Sequence, residues 1–131
     1  VLTCADFADA IGVNGWPLEL HVAGGVEWRW PPAGSRGFNQ LPLGMLLPAD
    51  AGAGRAPRNV VVAGRCASMT HDGQSAARVS GACFVMGQAA GTLAALACRR
   101  SEPLRAVPVD AVQAALREDG AYLGVDLPTA S

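Results

Sequence analysis

The segment from Ser80 to Cys98 carries no charged residue and is dominated by Ala, Gly and Leu. It is too rich in Ala and Leu for a strand and too long for a turn, so it predicts a buried helix. A helix that is apolar almost all round must be covered on several sides. Upstream, Val60–Ala63 is a short apolar, β-branched run, the pattern of a strand buried on both faces. Gly64 ends that run, and a polar loop from Arg65 to Arg78 leads to the helix. Strand, glycine, polar loop and buried helix together place a ligand at the strand's carboxyl end, against the helix N-terminus.

Charge bears on this reading. A helix N-terminus favours acidic side chains by about 0.3–1 kcal/mol. Here Arg78 stands beside the predicted start, and no Asp or Glu follows until Glu102. Two explanations stay open at this level. An anionic or electron-rich group from outside the chain binds there, or Arg78 is an exposed residue with no partner. The helix also has the length of a membrane span, and Gly87-x-x-x-Gly91 is a helix-pairing pattern. Its Ala/Gly content and the central Gln88 make insertion weak, and the same small residues let a helix lie close to a sheet or a cofactor. The expectation is no membrane.

The run Val60–His71, with Arg78-Val79 and Met86-Gly87-Gln88-Ala89-Ala90-Gly91-Thr92, resembles the C-terminal region of FAD-dependent oxidoreductases of the glutathione-reductase-like superfamily. Within it, the match is to the subgroup whose flavin-contacting strand ends in Ala-Gly-Arg-Cys, here Ala63-Gly64-Arg65-Cys66. The likeness extends more weakly elsewhere. Asp9 through His21 resembles a substrate-domain segment, Gln40 through Pro48 the strand leading back to the FAD domain, and Val109–Leu123 a closing helix. The resemblance implies an α/β (α+β) fragment. It comprises a substrate-domain segment over 1–48, a loop over 49–58, the C-terminal part of a Rossmann-like FAD-binding domain over 59–123, and a tail over 124–131. It also implies FAD, held by Ala63, Gly64, Arg65, Cys66, Arg78, Val79, Ser80, Gly81 and Ala82.

The family's opening Gly-x-Gly-x-x-Gly fingerprint is lacking in this sequence. Gly52-Ala53-Gly54-Arg55 echoes it, but no apolar strand precedes it and Pro57 follows. The chain starts at Val1 without a methionine. The expectation is a C-terminal piece of a flavoenzyme, completed by a separate or cleaved N-terminal chain that carries the fingerprint.

Half of the 131 residues are hydrophobic, enough to bury a core, but only 5% are aromatic. A net charge of −1 with no basic block gives nucleic acid no electrostatic footprint. Cys4, Cys66, Cys83 and Cys98 show no metal-binding spacing. Two of the four lie in apolar surroundings and read as small buried hydrophobes of a reducing compartment, which points to the cytoplasm. Cys66 differs, since its place beside the expected flavin also suits a reactive or flavin-linked thiol.

In chain order, Thr3 and Asp6 fit a capping box for a helix running to about Ala10 and stopping near Gly12. Asn14-Gly15 signals a turn. Leu18–Val22 and Val26–Trp30 predict a hairpin turning at Gly24-Gly25, with His21 on its polar face. Residues 37–47 form an extended stretch that its prolines demote to an edge or irregular strand. Pro108 suits the first turn of a last helix over Val109–Asp119, with Val112 and Leu116 on its apolar stripe and Gly120 past its end.

If flavin binds, two side chains are the candidates for chemistry. Arg78, with the helix dipole and the N–H groups of Val79 to Ala82, is placed to stabilise negative charge on the reduced cofactor. His71 reads either as a general base toward a small-molecule substrate or as a brace for its loop. Arg65 reads as a pyrophosphate contact or as a surface salt bridge. A different class of function also stays open, a binding or scaffold subunit that keeps the fold without cofactor.

Overall fold

The computed structural model describes residues 8–33, 37–49 and 57–124. Its axis is the long helix foreseen from composition, with a shorter helix before it and another after it. These are α1 (His71–Ala77), α2 (Ser80–Arg100) and α3 (Val109–Glu118). Arg99 and Arg100 lie in the last turn of α2, where a cation suits the negative helix end, and Ser101 closes it in the left-handed region at φ 54.

Two antiparallel pairs of strands stand against these helices. β1 (Ala10–Asn14) pairs with β4 (Asn39–Pro42), with an irregularity between Ala10 and Gly12. β2 (Leu18–Val22) pairs with β3 (Gly25–Arg29). The hairpin forms as its alternation predicts, but Val22 opposes Gly25, so the turn is Ala23–Gly24 and Gly24 takes the positive φ of 91. Pro42 ends β4, and Leu43–Leu46 continues as a 3-10 turn. The extended stretch expected over 37–47 is therefore a strand only at Asn39–Pro42, and its second half turns into 3-10 helix.

β1 lies directly on α2. A Cβ built on Gly12 meets Val85 Cγ1 at 2.2 Å, so the strand sits closer to the helix than any side chain at that position allows. Ile11 and Leu41 from the strands, Leu46, Met86 and Leu93, and Val112 and Leu116 from α3 form one core. Polar side chains pin its parts together. Asn14 Nδ2 donates to the Ala76 carbonyl at 3.1 Å, and Gln40 Nε2 to the Leu123 carbonyl at 2.9 Å. Gln113 Nε2 reaches the carbonyls of Ala8 and Ala10. Buried donors without such partners are costly, so these bonds select one packing.

Several expectations are corrected. Ala10–Asn14 is a strand, so no helix continues to Gly12; the capping box at Thr3 and Asp6 lies outside the described residues. The burial of this segment against α2 and its pairing with β4 override the local helix signal. The Gly52–Gly54 loop likewise lies outside them, apart from its flanks. Val60–Ala63 is extended but forms no strand among the described residues, and Val60 is 41% exposed. Among the described residues, Val62 N donates to the Leu46 carbonyl at 2.8 Å, and Val61 and Ala63 pack against the core. The polar stretch Arg65–Arg78 is not one loop: Gly64–Cys66 is a 3-10 turn and α1 occupies half of the rest.

Among the described residues α2 buries one side only, through its own Ala82, Met86, Ala89, Ala90, Leu93 and Ala97, while its Phe84 is 77% exposed. By length and composition it is long and apolar enough to cross a membrane, and 33% of that apolar window is buried in the chain. Cys83 is half-buried and Cys98 exposed, so neither is the fully buried hydrophobe expected, while Cys66, which the sequence set apart, is exposed.

Candidate functional site

Ala63 is extended, and Gly64 then turns the backbone with φ 67. A side chain there is strained whatever the room around it, although a Cβ meets Cys83 Sγ only at an ordinary 3.7 Å. Ala67 N closes the turn on the Gly64 carbonyl at 3.1 Å. Gln74 Nε2 of α1 donates to the Arg65 carbonyl at 3.2 Å, so the helix holds the turn's backbone.

α1 exists because Thr70 caps it: Oγ1 accepts from Gly73 N at 3.1 Å. Asp72 in the first turn complements the helix dipole. His71 is the first residue of α1, and Arg78 is its C-cap. Val79 is extended, and α2 starts at Ser80 with no acidic residue in its first turn. Arg78 therefore stands at the elbow between two helices.

Arg78 is not the exposed residue without a partner that one reading of the sequence allowed, since it has a partner from the hairpin. Arg78 Nη2 lies 3.6 Å from Glu19 Oε1 and donates to the Glu19 backbone carbonyl at 3.4 Å. Glu19 gathers two more neighbours. Trp16 Nε1 donates to its Oε2 at 3.3 Å, and His21 Nε2 lies 3.7 Å from its Oε1. Trp16 in turn meets Trp28 edge to face, with centroids 5.7 Å apart.

Two hollows flank the Glu19–Arg78 pair. A small one of about 60 Å³ is lined by Glu19, His21, His71, Gln74, Ser75 and Arg78. An open cleft of about 490 Å³ is lined by Trp16, Glu19, Arg65, Arg78, Val79 and Ser80. Among the sequence-derived candidates, the fold brings His71 and Arg78 to one hollow, and Arg65, Arg78, Val79 and Ser80 to the other. Ala63, Gly64 and Cys66 belong to the adjoining turn. Gly81 is exposed on the first turn of α2, while the side chain of Ala82 is buried in the core, leaving that residue only its backbone to offer.

Sequence reasoning missed Trp16 and Glu19. A signal for Glu19 was present: residues two apart on a strand share a face, which puts Glu19 with His21. The Asp72 backbone carbonyl accepts from Ser75 Oγ at 2.7 Å. Among the described residues no cluster of His, Cys, Asp or Glu can hold a metal.

The cleft presents two guanidiniums, of which that of Arg78 faces the Glu19 carboxylate, together with Ser80 and Trp16, and the Gly64 turn adjoins it. Arg65 has no ion pair or hydrogen bond from its guanidinium among the described residues, so that charge is available to a ligand.

The family model described as FAD dependent oxidoreductase matches residues 1–116. The chain belongs to the FAD dependent oxidoreductase family, and its cofactor is FAD. No curated protein and no solved structure matches it.

Proposed function

We propose that this chain is the C-terminal part of a flavoenzyme of the glutathione-reductase-like superfamily that oxidises a small organic substrate. The observation that carries the reading is the convergence of His71, Arg78 and Arg65 on two adjoining hollows beside the Gly64 turn. FAD, when bound, supplies the acceptor for a hydride at its N5. The chain's residues do the rest. Arg78 and the N–H groups of the first turn of α2 hold negative charge. His71 takes a proton from the substrate. Arg65 pairs with a phosphate oxygen, and Gly64 lets backbone come close.

The active form in this reading includes a second piece, an N-terminal chain with the Gly-x-Gly-x-x-Gly fingerprint. Two bare surfaces support it. One is the uncovered side of α2 around Phe84; the other is the edge of Val60–Ala63, beside a groove of about 450 Å³ lined by Val61, Ala94, Ala97, Cys98 and Leu104 among others. A strand-like run needs neighbours on its edges. Among the described residues Cys66, Cys83 and Cys98 are free, which suits a reducing compartment such as the cytoplasm.

The test is co-expression with a fingerprint-bearing N-terminal chain, followed by chromatography and visible spectroscopy. The expected result is a tight complex, with an interface of more than roughly 2,000 Å², that shows the bands of oxidised flavin. The chain alone is expected to be aggregated or molten. A colourless complex would favour the scaffold reading, and a sharp, cooperatively melting monomer would remove the need for a partner.

A further inference from the structure

Glu19 is not among the residues that the sequence marked for chemistry, yet it is the carboxylate on which the site converges. Its side chain is mostly covered, at 22% exposure, and the facing Arg78 side chain is 34% exposed. Glu19 borders both hollows, and no other residue except Arg78 does so. It is approached by the Arg78 guanidinium, the Trp16 indole N–H and the His21 imidazole. It also sits on β2, so it joins the hairpin to the elbow between α1 and α2.

We infer that Glu19 is a positioning residue that sets the charge of the cleft through Arg78. This inference rests on the reading of the cleft as the FAD site. Arg78 bonded to both the carboxylate and the carbonyl of Glu19 is held against β2 rather than left to rotate into solvent. A fixed guanidinium stabilises charge without reorganising, which is what makes a preorganised donor effective. The Glu19 carboxylate also offsets part of that positive charge, since opposite charges about 4 Å apart interact strongly away from bulk water. Arg78 therefore favours the reduced, anionic form of a flavin in the cleft, and Glu19 moderates that preference.

A strut acting only as a hydrogen-bond acceptor makes the opposite demand of substitution. Glu19→Gln keeps shape and an acceptor oxygen but removes the charge. Glu19→Asp keeps the charge and shortens the reach. If Glu19 tunes charge, Glu19→Gln raises the flavin reduction potential and Glu19→Asp stays near the parental value. If it is only a strut, Gln behaves as the parent and Asp is the damaged variant.

The experiment is a redox titration of FAD-loaded protein, in its complete complex, for the parent, Glu19→Gln, Glu19→Asp and Arg78→Ala. For Glu19→Gln, the ratio of reduced to oxidised flavin at a fixed solution potential is expected to rise on the order of fivefold. Arg78→Ala is expected to shift the ratio the other way. An unchanged or lowered ratio in Glu19→Gln, a larger shift in Glu19→Asp than in Gln, or loss of flavin from both variants would overturn the inference. Failure of the underlying FAD reading shows separately, as a parental protein without flavin bands.

Discussion

α3 and the Val60–Ala63 segment are both short and flank α2 in sequence, and they end differently. α3 forms over nearly the range its pattern marks, with Val112 and Leu116 buried and Gly120 at φ 80 just past its end. A helix satisfies its backbone internally and needs only one covered stripe. Val60–Ala63 has the stronger β-branched pattern, yet it is extended without pairing. A strand's hydrogen bonds come from another strand, and this segment receives one, to Leu46. The same contrast runs along α2, whose Leu93 side is packed and whose Phe84 side is bare. The lesson is that elements which close their own bonds are complete here, whereas those requiring a neighbour stay open where the family's remaining piece is proposed to dock.

That contrast can be broken by substitution. Leu93→Ala empties a fully buried position between α2 and the rest of the core, with an expected loss of about 2–5 kcal/mol in denaturant unfolding of the assembled protein. A loss below 1 kcal/mol, on the same scale of cavity costs, would mean that the packed side is not packed. Phe84→Ser should leave helix content by circular dichroism unchanged and weaken binding of the N-terminal chain by roughly 1.5–3 kcal/mol in a titration. Unaltered affinity would leave the bare side without an occupant.

Gly12→Ala sharpens the comparison from the strand side. Its new methyl group meets Val85, so β1 must lift off α2, and the expected cost is about 1–3 kcal/mol of unfolding free energy. A neutral result would show that β1 is not wedged against the helix. Smallest is Thr70→Ala, which removes the only side-chain cap of α1 and should cost about 1 kcal/mol. Hydrogen exchange of the α1 amides is the direct reading, and unchanged protection would show that the cap is not what starts the helix.

The site was partly legible for the same reason. Gly64 and Arg65 were marked by the Ala-Gly-Arg-Cys match, and the turn at Gly64 does take the positive φ that glycine permits. His71 and Arg78 were singled out as chemistry, but only α1 explains their meeting: it places one at its first residue and the other at its C-cap. Thr70 three residues before Gly73 was a readable cap, hidden by the polar, loop-like composition of what followed it.

By itself the sequence determined the elements whose information is local: the helix of residues 80–100, the amphipathic stripe of α3, the alternation of the hairpin and the glycine turn before Arg65. Each follows from side-chain periodicity or from a backbone angle open to glycine. Tertiary structure decided the rest. It made Ala10–Asn14 a strand by setting it on α2 and beside β4. It left Val60–Ala63 unpaired and gave Arg78 the carboxylate of Glu19, 59 residues away along the chain. A contact of that separation depends on how two elements dock, and no local propensity encodes docking.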